Sequence, residues 1–385
     1  MYTIRQYGNM YINKARINAY SAALRGAVTP SSVVLDIGAG TGIFALLACR
    51  YGARRVYAIE PDDAINLARE VATANGYSDR LTCIQSLSTK LDLPERADVI
   101  ISDLSGLLPL FGLHIPAIID ARDRFLAPGG ALIAQQDHLW AAVIEAPESY
   151  RKLTQPWSEN LLGLDLSIGW PLVANTWSLL TEKQAKLLTR PSSLAVLDYR
   201  MIAKSNMDGE LAWIMEQPGT GHGAAIWFDR VLADGIKISN EPGAPEAINT
   251  SGVYGQAFFP WPNPVDLEPG DRVSFRIKAD LVKDEYIWRW GTIIGAGQEI
   301  KAHFRQSSLH GNALSLEFLK KREAEFVPAL NEDARMDAFI LSKIDGHTAL
   351  RQIAHALAAN FPLRFNGWQD AISRVGDVTV QYGER

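Results

Sequence analysis

The sequence predicts an α/β protein. A doubly wound, Rossmann-like parallel sheet comes first, an all-β second domain follows, and a small helical segment ends the chain. Three observations lead there. The run Val33-Val34-Leu35-Asp36-Ile37-Gly38-Ala39-Gly40-Thr41-Gly42 reads as a buried strand entering a glycine turn, and a helical run from Ile43 to Tyr51 follows it. Short apolar runs and helical patterns alternate to about residue 145, which implies a parallel sheet covered on both faces. From about Tyr150 the texture turns to strand-length segments separated by turn clusters, and near Glu325 it changes again.

In the first region the candidate strands are Val33–Asp36, Val56–Glu60, Leu81–Gln85, Ala97–Asp103 and Gly130–Gln136. The candidate helices are Asn13–Ala27, Ile43–Tyr51, Asp63–Asn75 and Pro116–Phe125. Pro128-Gly129-Gly130 is a sharp turn into the last strand. In the second region Leu194–Met201, Ala224–Leu232 and Arg272–Ile277 have strand character, set apart by turns such as Glu241-Pro242-Gly243-Ala244-Pro245 and Glu268-Pro269-Gly270-Asp271. In the third, Ala338–Ile344 is apolar and Asp345-Gly346 is a turn. Thr348–Asn360 then places Leu350, Ile353, Ala354 and Leu357 on one helical face, with Thr348 as the expected capping residue.

A chain of 385 residues suggests two or three domains, and 47% hydrophobic with 21% charged residues is ordinary globular composition. The net charge of −5 gives no broad basic footprint, which argues against non-specific nucleic-acid binding. Cys49 and Cys83 form neither a metal-type pair nor a disulfide framework, and Cys49 is expected in the core. No signal peptide and no membrane-spanning apolar run is recognised, so a reducing cytoplasm is the expected compartment.

Glycine at 38, 40 and 42 permits positive φ and leaves room for a ligand across the strand ends. Glu60, about 20 residues beyond the glycines, is placed to accept hydrogen bonds from ribose hydroxyls. A dinucleotide site has the spacing G-x-G-x-x-G, the competing reading; here it is G-x-G-x-G behind Asp36. Asp-Ile-Gly-Ala-Gly-Thr-Gly resembles motif I of class I S-adenosyl-L-methionine-dependent methyltransferases.

Residues 7 to about 300 resemble one group of these, the protein arginine methyltransferases. Tyr7-Gly8-Asn9-Met10-Tyr11, with Arg16 six residues after Met10, is similar to that family's cofactor-covering helix, whose arginine grips the cofactor carboxylate. Ile59-Glu60-Pro61 resembles its ribose-binding acid, and Gln85-Ser86-Leu87-Ser88-Thr89 before Leu93-Pro94 its adenine edge. The resemblance implies cofactor binding by Tyr7, Met10, Arg16, Asp36, Gly38, Gly40, Thr41, Gly42, Glu60, Pro61, Leu87, Ser88, Thr89 and Asp103. It implies a methyltransferase domain over 1–145 and a β-barrel over 146–324, entered through Gly255-Gln256-Ala257-Phe258-Phe259. A dimerisation arm near 166–190 implies a homodimer.

The departures bear on the acceptor. The family carries two glutamates on the loop after the fourth strand, which hold a guanidinium by charge-assisted hydrogen bonds. Here the loop is Ser102-Asp103-Leu104-Ser105-Gly106-Leu107-Leu108-Pro109-Leu110-Phe111-Gly112, so Asp103 falls at the first glutamate and Gly112 at the second. The family's Thr-His-Trp loop becomes Gly252-Val253-Tyr254. These replacements point to methyl transfer onto a neutral or atypical acceptor on a peptide, with Asp103 orienting or deprotonating it, Tyr254 shaping the wall and His114 as a second base candidate. A small-molecule or free amino acid methyltransferase and a non-catalytic cofactor-binding scaffold are the alternatives. Trp288 and Trp290 alternate along a strand and are expected in the core.

Residues 325–385 lie outside that resemblance. Ile344-Asp345-Gly346-His347-Thr348, followed by Ile353-Ala354, resembles the PqqD-like winged-helix module. That module holds the leader of a ribosomally made precursor peptide by adding it to a sheet edge. The resemblance implies a winged-helix-like domain and a peptide substrate; a plain helical cap is the alternative.

Overall fold

Two capped helices open the chain. Thr3 and Gln6 form a reciprocal capping box on α1 (Ile4–Ile12), and the Asn13 side chain caps α2 (Lys14–Ala27) by accepting from the Arg16 N–H at 3.1 Å. The expected single helix over 13–27 is therefore α2 alone, with Asn13 as the break before it. This is a computed structural model of the protein; it describes residues 2–159, 163–181, 185–243, 254–297 and 299–383.

Strand and helix then alternate: β1 (Val33–Ile37), α3 (Ile43–Arg50), β2 (Arg55–Ile59), α4 (Ala64–Ala74), β3 (Leu81–Ile84), β4 (Ala97–Ser102), α5 (His114–Phe125) and β5 (Leu126–Ile133). The strands pair in parallel in the order β3-β2-β1-β4-β5. The apolar run at Val33 predicts a strand buried on both faces, and every residue of β1 is buried. The order reverses between β1 and β4, and the crevice beyond the carboxyl ends at such a reversal is where open α/β sheets bind ligands.

β6 (Gln136–Glu145) follows β5 but leaves the parallel sheet. It pairs antiparallel with the long strand Gly219–Ala233. The parallel domain thus ends at Ile133, and the expected boundary at 145 lies one strand too late. The expected β-barrel is observed as two antiparallel sheets, a seven-stranded one containing β6 and a four-stranded one ending at Ser307. Among the described residues no hydrogen-bonded ladder joins the two, so the closed barrel is not formed by pairing. One apolar core joins the parallel and antiparallel layers and includes Leu35, Ile101, Phe259, Trp288 and Trp290. Cys49 belongs to it as well.

Contacts divide the chain after Ala313, eleven residues before the expected boundary at 324. The unit Leu314–Arg385 has its own core, formed by the helices Glu332–Leu341, Leu350–Asn360 and Trp368–Tyr382 around Met336, Ile340, Ile353, Leu357 and Val375. Among its described residues there is no strand, so neither a wing nor a sheet edge is present and the winged-helix expectation is corrected to a small helical bundle. Thr348 is not the helix cap: its hydroxyl donates to Asp345 Oδ2 at 2.8 Å, and the helix starts at Leu350.

Candidate active site

The loops after β1, β2, β3 and β4 carry the glycine turn, Glu60, Leu87 with Ser88, and Asp103 to the same end of the sheet. A cleft of about 500 Å³ is lined there by Tyr7, Met10, Arg16, Gly38, Thr41, Glu60, Pro61 and Asp103. A second hollow of about 220 Å³ shares Gly38, Glu60 and Pro61 and extends past Leu87, Ser88 and His114. Thr89 is exposed on the turn Ser88–Lys90 and lines neither, so the structure does not place it at the site.

Two glycines are required by contact. Gly38 has φ +69°, and a Cβ there would lie 2.0 Å from Leu104 Cδ2. Gly40 has φ +54°, and a Cβ would lie 2.5 Å from the Tyr7 ring. Gly42, also left-handed, precedes the first turn of α3 without lining the cleft. Asp36 lies beneath the turn rather than in the cleft: its Oδ2 accepts from the Ala45 N–H at 2.9 Å, satisfying a free donor of the first helical turn. Burial pushes its carboxyl up to about 7. Glu60 Oε2 accepts from the Gly40 N–H at 2.9 Å and Oε1 from the Asp62 N–H at 3.0 Å, which fixes the carboxylate at the cleft wall.

Asp103 is the centre of a buried charge cluster. Arg16 donates to its Oδ2 from Nε at 2.7 Å, and its Nη2 lies 2.5 Å from the same oxygen as an ion pair. Arg230 Nη1 donates to Oδ1 at 3.0 Å and to the Tyr20 hydroxyl at 3.1 Å. The Tyr254 hydroxyl donates to Oδ1 as well. Arg230 is itself held by Asp137, which faces it directly across the strand pair and accepts from Nε and Nη2 at 2.7 Å each. Burial raises the Asp103 carboxyl, but Arg16, Arg230 and the Tyr254 hydroxyl outweigh it and hold it below the usual carboxylate range. An acid in that state is a poor base, and both its oxygens are engaged. The expectation that Asp103 orients or deprotonates the acceptor is corrected accordingly.

His114 is corrected too. It is fully buried at the start of α5, with Nε2 3.1 Å from the Tyr199 hydroxyl, and that hydroxyl donates to Asp137. Burial, then Arg230, pushes the ring down to about 4, so it is neutral at pH 7; it lines the smaller hollow but not the cleft that holds Asp103. Tyr254 is buried with its ring edge-on to Phe228 and lines neither hollow, so it reaches the site only through its hydroxyl on Asp103. Gly112 has φ +47°, with only the Asp284 carbonyl near a built Cβ at 3.9 Å, so no second acid enters from this position. Gly252 and Val253 lie outside the described residues. Arg230, Asp137, Tyr20 and Tyr199 were missed by the sequence reading; the one available signal was a charged pair, Asp229-Arg230, inside the apolar run from Ala224 to Leu232.

The residues present fit a nucleoside that carries a carboxylate. Arg16 Nη1 and Thr41 Oγ1 are buried with no hydrogen-bond partner, and both residues line the cleft. A buried guanidinium N–H left unpaired is costly, and a carboxylate is its natural acceptor. Among the described residues no cluster of metal-ligating side chains exists, and no helix is long and apolar enough to cross a membrane.

Residues 20–136 match the family model described as ribosomal protein L11 methyltransferase (PrmA). The chain is 31% identical over 253 residues to the Arabidopsis thaliana "Probable protein arginine N-methyltransferase 6", covering 63% of this chain and 56% of that protein. It is 30% identical over 232 residues to the Xenopus laevis "Protein arginine N-methyltransferase 6", covering 57% of this chain and 68% of that protein. It spans about half the length of the first curated relatives it matches. Among solved structures, the Trypanosoma brucei PRMT1 enzyme-prozyme heterotetrameric complex with AdoHcy superposes with TM-score 0.69 at 22% identity, over 78% of this chain and 96% of that one. The Arabidopsis thaliana protein arginine methyltransferase 10 superposes with TM-score 0.67 at 21% identity, over 79% and 97%. With two thirds of the Xenopus protein matched at this identity, the chain belongs to the protein arginine methyltransferase family, a family of S-adenosylmethionine-dependent methyltransferases.

Proposed function

We propose that this protein transfers a methyl group from S-adenosylmethionine to a neutral nitrogen or oxygen on a peptide or protein. The unpartnered Arg16 Nη1 in the cleft carries the cofactor half of the reading. Arg16 would hold the amino-acid carboxylate and Glu60 the ribose, with Leu87 and Ser88 along the adenine. The sulfonium of the bound cofactor supplies an electrophilic methyl group. The AdoHcy named with the T. brucei neighbour supports this assignment.

The relatives' names give arginine as their acceptor. For this chain the acceptor half departs from them. Arg16, Arg230, Asp103 and Asp137 already balance, two charges of each sign, so a cationic acceptor reaching Asp103 would meet an acid already neutralised by buried arginines. Leu104 and Phe111 line the cleft beside Asp103 and would strip water from a neutral nucleophile. The new N–C or O–C bond forms as the S–C bond breaks, and the acceptor proton leaves to solvent.

The homodimer reading rests on the arm after the helix Pro147–Ser158. There Leu164 and Ile168 are 61% and 86% exposed, which suits a second copy of the chain.

The test is mass spectrometry of a peptide pool treated with the enzyme and isotopically labelled methyl donor. Label on neutral side chains supports the reading, and monomethylarginine as the main product would overturn its acceptor half. Absence of S-adenosylhomocysteine binding by calorimetry would overturn the cofactor half.

A further inference from the structure

Arg230 is a guanidinium that the protein supplies to its own acid. It is fully buried on the strand Gly219–Ala233, with no face toward solvent. Asp137 on β6 takes two of its nitrogens in the two-bond geometry by which a carboxylate recognises arginine. Its third nitrogen reaches Asp103. Asp103 is the carboxylate at the cleft between Arg16 and the apolar loop, and Arg230 is the cation on Oδ1, the oxygen that Arg16 leaves and that also accepts from the Tyr254 hydroxyl.

We propose that Arg230, held by Asp137, determines acceptor specificity by occupying Asp103 and so excluding guanidinium acceptors. This rests on the methyl-transfer reading above and names the residue pair that sets its substrate class. Asp137 and Arg230 sit opposite each other two residues along from the buried apolar pair Leu139 and Phe228, and the chain places both charges there, sealed from water, with Arg230 reaching on to Asp103. A buried ion pair is weak evidence for stability and is better understood as a specificity device when it ends on a functional group. Arg230 touches no substrate; it acts through Asp103.

The experiment removes the pair without stranding a charge. The variants are Arg230→Met with Asp137→Asn, and Arg230→Gln with Asp137→Asn, the second keeping an amide hydrogen bond across the strands in case the first fails to fold. Each is titrated calorimetrically with an arginine-containing peptide and with the same peptide carrying citrulline, the neutral isostere, both with and without S-adenosylhomocysteine. The expected result is arginine-peptide binding at least tenfold tighter than in the wild type, with citrulline binding little changed. A destabilised but otherwise indifferent variant would lose affinity for both peptides, so a selective gain cannot come from loosened packing. Folded variants that take up S-adenosylhomocysteine as the wild type does, yet bind the arginine peptide no better, overturn the proposal. A wild type that takes up no S-adenosylhomocysteine overturns the methyl-transfer reading instead, and the titrations without it still decide the role of Arg230.

Discussion

Arg16 and Asp103 are joined by a hydrogen bond from Nε at 2.7 Å and an ion pair through Nη2 at 2.5 Å, and the guanidinium keeps its last nitrogen, Nη1, buried without a hydrogen-bond partner. Phe44 lies under the same guanidinium, 4.9 Å from ring centroid to Cζ, and holds it flat. Arg16→Lys retains the charge for Asp103 but has no fork to spare for a ligand. Calorimetry should find S-adenosylhomocysteine bound roughly tenfold to a hundredfold more weakly, the range for one hydrogen bond to a charged group. Unchanged affinity would mean that the carboxylate is held elsewhere.

Two buried groups should tilt stability with pH in opposite senses. Burial raises Asp36 from its ordinary 3.8 to about 7, so its contribution is complete below about 4 and is lost as pH rises through about 7. Burial lowers His114 from 6.5 to about 4, so its contribution stands above about 6.5 and is lost as pH falls toward about 4. The windows overlap and largely cancel in the wild type. Urea melts across this range should show Asp36→Asn gaining on the wild type as pH rises, by on the order of a few kcal/mol. His114→Gln should gain on it as pH falls. Parallel profiles for all three proteins would contradict both assignments.

Residues 314–385 keep a core of their own, so their removal should leave the cleft untouched. A chain ending at Ala313 is expected to bind S-adenosylhomocysteine within about twofold of the full chain, since its core is not shared. Peptide affinity should fall if this bundle recognises the substrate. Equal peptide affinity in the two chains would assign the bundle some other task.

Ile168→Asp places a charge on an exposed apolar side chain of the proposed dimerisation arm. Sedimentation should then show a shift from dimer to monomer at micromolar concentration, with the fold unchanged by circular dichroism. A wild type that sediments as a monomer would remove the dimer reading at once.

The parallel sheet was legible because its signals are local. An apolar run, three glycines at fixed spacing and an acid at the end of the next strand specify Val33–Glu60 without help from the rest of the chain. Arg16, Glu60 and Asp103 were found for the same reason, and all three line the cleft. What Asp103 does there was not legible. Its partner Arg230 is 127 residues away, and the pairing depends on the register between β6 and the strand Gly219–Ala233, which no periodicity reveals. Thr89 was misplaced because a turn of three residues directs neighbouring side chains apart. The C-terminal unit was misjudged because the Asp345–Thr348 turn that suggested a winged helix precedes an ordinary helix just as well.

The seam made by Asp137, Arg230 and Asp103 also dictates how molecules enter and leave. Swinging the antiparallel layer away from the nucleotide layer would tear the Arg230–Asp103 ion pair, sealed from water, at a cost of about 3–5 kcal/mol. The amino-terminal helix carries no such tether: only Met10 of its nine residues is buried. Traffic through the cleft is therefore expected to pass by the lifting of this short helix rather than by a hinge between the layers, and truncation of the first dozen residues should change ligand exchange rates more than any substitution along the seam.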